Sequence, residues 1–193
     1  MLLKTAIFAC LALSLGACTS LTPAGLVAAS RLDPLPTPPA AIAVAVGVPE
    51  TVKLTDGDAE FALSFVPEDT RHATVSETVS LQVRPSTDGR PEPNSATETV
   101  YIAGFSETDA QRVAAAQAKI KAMKNSGVDG EGTLSIGVVG GCTKAPLVSL
   151  PLSTWLRTDP DRAFVRLTRT QDMLVTLPAE EAAAFRAGFK PCD

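Results

Sequence analysis

The residues of this chain best suited to chemistry are four cysteines, Cys10, Cys18, Cys142 and Cys192, and a lone histidine, His72. A thiolate can act as a nucleophile or a soft metal ligand, but as a nucleophile it needs a base and a positive local field. His72 stands seventy residues from Cys142, and no cysteine pair has the CxxC spacing of a redox or zinc motif. No GxSxG, SxxK, HExxH or Walker pattern occurs. A triad of His72 with a serine and an aspartate is formally possible, yet serines and aspartates are too plentiful for that to carry information. Carboxylate pairs such as Asp159 with Asp161 and Glu180 with Glu181 fall in a turn and at a helix start, where solvation and capping account for them. The glycines of "GVDGEGTL" and "GVVGGC" do not follow a strand and open a helix, as a phosphate-cradling loop must. Catalytic residues, metal ligands and cofactors are therefore assigned as none.

Cys18 differs from the other cysteines in what precedes it. Met1 to Ala17 carries one cation, Lys4, and the apolar run "TAIFACLALSL" of Thr5 to Leu15. A run of about eleven residues is short of the ~20 that span a bilayer and fits the apolar core of an export signal. The sequence Leu15-Gly16-Ala17-Cys18 behind that run resembles the lipobox of bacterial lipoproteins. The resemblance covers residues 1 to 20 alone, and no family is recognised for residues 41 to 193. It implies cleavage before Cys18, a diacylglyceryl group on its sulfur and an acyl chain, such as palmitate, on its new amino group. Multiple acyl chains anchor a protein firmly where one binds marginally. Thr19, in place of the aspartate associated with inner-membrane retention, implies the outer membrane; the periplasm is the expected side for the domain, with the cell exterior as the alternative.

Cleavage would remove Cys10 and export would place Cys142 and Cys192 in an oxidising compartment, so a structural disulfide between them is expected. The alternative, a catalytic Cys142 thiolate, lacks a nearby base in sequence. With Lys4 removed, 16 of the 17 Lys and Arg residues face 21 Asp and Glu, a net charge of −5. No basic block interrupts that balance, which argues against nucleic acid as a partner. One tryptophan and one tyrosine supply few stacking surfaces.

The elements that must position these residues follow from periodicity. Residues 18–40 contain Pro23, Pro34, Pro36, Pro38 and Pro39 and read as a tether, or else as a stretch packed along the domain surface. From Ala41 the pattern has period two: "AIAVAVG", "TVKL", "EFALSFV", "TVSETVSLQV" and "TVYIAGF" read as strands, with Asp56-Gly57 as a hairpin turn. The polar loop "RPSTDGRPEPNSATE" reads as mobile. Glu107 to Asn125 is a helix capped by Ser106, with Ala110, Val113, Ala116, Ile120 and Met123 as its apolar stripe. Its Lys119, Lys121 and Lys124 suit the helix dipole, or an anionic lipid. After the strand "TLSIGVV", the runs "LVSLPLSTWLRT", "AFVRLTR" and "MLVTLP" suggest a three-strand meander, and "AEEAAAFRAG" a short helix packing Ala182, Phe185 and Phe189 inward.

The expected architecture is a single β-rich α+β domain over residues 41–193, a mainly antiparallel sheet or sandwich with one long helix, about 107–125, and a short C-terminal helix. About 175 mature residues suffice for one real core. The foremost expectation is a non-catalytic envelope lipoprotein that binds or scaffolds another envelope protein at the membrane surface. A carrier or sensor of an apolar ligand is the alternative, with Ala41, Ala43, Ala45 and the alanines at 114, 115, 116 and 118 making room. A hydrolase without a recognisable motif is the third.

Overall fold

The computed structural model of the chain describes residues 35–88, 90–168 and 170–193. In chain order it contains strands β1 (Ala43–Pro49), β2 (Val52–Lys53), β3 (Ala59–Pro67), β4 (Val75–Ser80), β5 (Gln82–Pro85) and β6 (Glu98–Gly104), then helix α1 (Glu107–Asn125). There follow β7 (Gly130–Val138), β8 (Gly141–Thr143), β9 (Pro151–Arg157), β10 (Val165–Arg166), β11 (Gln171–Asp172), helices α2 (Met173–Thr176) and α3 (Ala179–Ala187), and β12 (Phe189–Pro191). The fold is α+β, β-rich and mainly antiparallel, with one long helix and a short C-terminal one.

The largest sheet has the order β10-β9-β1-β6-β5, with β11 also on β9. A second sheet is β4-β3-β7 and a third β12-β8-β2, in which β12 runs parallel to β8. Alternation in β1 and β3 explains how the core closes: Val44, Val46 and Val48 from β1 and Phe61, Leu63 and Phe65 from β3 share one cluster with Val113, Ala116 and Ile120 of α1. Each such Val, Leu, Ile or Phe side chain contributes roughly 1.5–3 kcal/mol on burial.

Helix α1 starts as its sequence dictates, with Ser106 Oγ accepting the Asp109 N–H at 3.1 Å. Arg112 clamps the helix to β4 through Glu77 at 2.5 Å and the Thr78 carbonyl at 3.2 Å. Gly127, at φ +79°, ends it, and the Val128 N–H returns to the Met123 carbonyl. The buried Gln117 donates to the Thr37 carbonyl at 3.0 Å, Pro39 is buried, and Leu35 packs against the core. Residues 35–40 of the Pro-rich stretch thus lie along the domain.

Four details differ from the periodic reading. The run "TVSETVSLQV" is two strands in two sheets, β4 on β3 and β5 on β6, because the chain turns at Leu81. Leu81 is buried there, donating to the Ala59 carbonyl and accepting from the Gly57 N–H. Asp56-Gly57 makes no hairpin, since β2 pairs with β8 rather than β3; instead Asp56 Oδ1 accepts the Val83 N–H at 2.6 Å and clasps that corner. "MLVTLP" is helical turn α2 rather than a strand, because Asp172 caps it by accepting the Leu174 N–H at 3.0 Å. The meander is a hairpin: β10 and β11 both pair with β9, β10 at Leu156 and Trp155 and β11 at Leu152 and Pro151, so that Ser153 and Thr154 lie between the two pairings. Hydroxyls fill the widened ladder there, Thr168 Oγ1 lying 2.8 Å from Thr154 Oγ1 and Thr170 Oγ1 2.9 Å from Ser153 Oγ. The polar loop before β6 is tied to this region, Asn94 Nδ2 donating to Ser153 Oγ at 2.6 Å.

Candidate functional site

Cys142 on β8 and Cys192 just after β12 form a disulfide, with Cα atoms 4.9 Å apart and a sequence separation of 50. The parallel pairing of β12 with β8 places them together, and the Cys192 N–H donates to the Thr143 carbonyl at 3.0 Å. Gly141 makes that approach possible. Its φ of +152° and the Lys53 carbonyl oxygen, 2.9 Å from where a Cβ would stand, leave no room for a side chain. Beyond the bond opens a cavity of about 420 Å³, walled by Lys144, Pro146, Leu147, Arg186 and Phe189.

Among the described residues the two most exposed large apolar side chains are Val148, which follows Leu147 of this wall, at 81% and Val175 at 79% of full exposure. One carboxylate holds both segments. Asp172 Oδ1 accepts the Leu150 N–H at 2.9 Å and the Leu174 N–H at 3.0 Å, so Val148 stands two residues before one anchored amide and Val175 one residue after the other. The Leu150 N–H is thereby diverted from any strand, and β9 begins at Pro151 rather than at Leu147. Burial works to raise the Asp172 pKa, but hydrogen bonds from Leu150, Ser149 and Leu174, with the Arg186 charge, hold it below the ordinary aspartate value.

The remaining candidates do not join this site. His72 is exposed in a turn, its N–H on the Asp69 carbonyl. The nearby Asp69 carboxylate is engaged by Arg71 at 2.6 Å, a contact that lowers the Asp69 pKa. Cys18 lies outside the described residues. Among the described residues no group of three or more His, Cys, Asp and Glu could hold a metal, and no helix is long and apolar enough to cross a membrane. Of the helix alanines expected to make room for a ligand, Ala116 is buried while Ala114, Ala115 and Ala118 are exposed. Ala43 and Ala45 pair with Arg157 and Trp155 on the face of β1 opposite Val44 and Val46.

Sequence reasoning missed Asp172, Val148 and Val175. The Gln171-Asp172 turn signal ahead of "MLVTLP" was the available clue, since Asp before an apolar run also marks a helix cap. No known protein family, no curated protein and no solved structure matches the chain.

Proposed function

We propose that this chain is a lipoprotein anchored to the outer membrane through Cys18, whose domain binds another envelope protein and performs no catalysis. The observation that carries this reading is the pair Val148 and Val175, both strongly exposed on segments tied to one carboxylate. Isolated apolar side chains on a surface need no explanation, but two on segments tied to one carboxylate, Val148 directly following Leu147 of a cavity wall that also holds Pro146 and Phe189, suit a partner. Lys144 and Arg186 on its wall favour an acidic rim on that partner. The disulfide occupies the thiol that a Cys142 nucleophile would require. Crosslinking intact envelopes and purifying the chain tests the reading. A discrete protein adduct should form with the natural chain and fall at least tenfold in the double variant Val148→Asp, Val175→Asp. An adduct unaffected by that variant overturns the assigned surface.

A further inference from the structure

We propose that a second cavity, where β1 begins and β6 runs into α1, binds a small anionic amphiphile, a carboxylate or phosphate group carried on an apolar body. The cavity measures about 400 Å³, within the range of small-molecule sites. Two arginines line it, the exposed Arg84 and the half-buried Arg157, from the strands that flank β6 and β1 in the largest sheet. Arg84 of β5 pairs with Ile102 of β6, and Arg157 of β9 pairs with Ala43 of β1, and residues paired across strands share a face. The floor between them is small and apolar. Neither arginine makes an ion pair with a carboxylate among the described residues.

Arg157 supplies the sharper observation. Its guanidinium carbon lies 4.7 Å from the centre of the Phe164 ring, and its Nε is buried with no hydrogen-bond acceptor among the described residues. The two terminal nitrogens, which are not closed off in this way, present the fork that receives a carboxylate or phosphate through two bonds. A guanidinium with no carboxylate partner among the described residues, in a side chain lining a cavity, suits an anion supplied from outside the fold. Ile102, Ala103, Phe105 and Ala110 give the ligand's apolar part a dry wall. Glu107, at the start of α1, also lines the cavity and opposes the anion.

The site shares no lining residue with the Val148 surface and does not rest on the partner-binding reading. Trp155, the sole tryptophan, lies two residues from Arg157 on the same strand face and reports on it by fluorescence. The full chain, held in zwitterionic nanodiscs, is titrated with hexanoate, hexyl phosphate, inorganic phosphate and hexanol. Hexanoate or hexyl phosphate should bind saturably, at least tenfold tighter than hexanol or inorganic phosphate, and the order of the first two identifies the head group. Arg157→Met should weaken binding at least tenfold, Arg84→Met should do the same if the first variant fails to fold, and Glu107→Gln should tighten it several-fold. No saturable binding, equal binding of hexanol or inorganic phosphate, or binding retained in the folded arginine variants overturns the proposal.

Discussion

The Asp172 carboxylate reaches back to the backbone N–H of Leu150, 22 residues earlier, at 2.9 Å, and with the same oxygen caps α2 at Leu174. One side chain therefore sets the geometry of two segments that carry exposed valines. Asp172→Ala should lower unfolding free energy by about 1–3 kcal/mol, from the lost cap and the charged hydrogen bond together. Denaturant melts of the two proteins give the difference directly.

The same residue gives a pH dependence with a defined sign. Its folded-state pKa is lowered, so its contribution is complete above the unfolded value of about 3.9 and is lost as pH falls through the folded value. The stability gap between the natural chain and Asp172→Ala should be constant from neutral pH to about pH 5 and shrink at more acid pH. A gap that grew on acidification would reverse the assigned direction.

Closing a 50-residue separation, the Cys142–Cys192 bond should contribute about 2–5 kcal/mol. Cys142→Ser should lose that amount in non-reducing melts. A reductant should destabilise the natural chain and leave the variant unchanged.

Gly141→Ala should destabilise by about 1–3 kcal/mol, since it combines a strained φ with a clash against the Lys53 carbonyl and the Phe189 ring. Gly57→Ala, also at positive φ but with open space around its Cβ, should cost less. Parallel melts of the two variants separate crowding from backbone conformation.

For the anchor, intact mass of the envelope-extracted chain should show residues 1–17 removed and Cys18 acylated. Cys18→Ala should remain unprocessed. Retention of residues 1–17 in the natural chain would remove the anchor from the account.

Where burial followed local periodicity, the elements were legible in sequence. Phe61, Leu63 and Phe65 alternate into the core, and Val113, Ala116 and Ile120 recur at helical spacing behind the Ser106 cap. The disulfide was legible for another reason, that the expected export and lipidation left only Cys142 and Cys192 to pair. What was not legible depended on contacts between distant segments. The run through Leu81 keeps its alternation while changing sheets, and only the Asp56 clasp on Val83 reveals the corner. Likewise Asp172 looks like a turn residue until Leu150 is folded against it. The floor beneath Arg84 and Arg157 is assembled from β1 and β6, which meet only through sheet pairing.

The central claim, that Val148 and Val175 mark a protein-binding surface, is tested most directly by placing a photocrosslinking amino acid at position 148, at 175 and, as a control, at the exposed position 121 of α1. Irradiation of cells should give the same discrete protein adduct from positions 148 and 175 and none from 121. Equal labelling from all three positions, or none from 148 and 175, would contradict it.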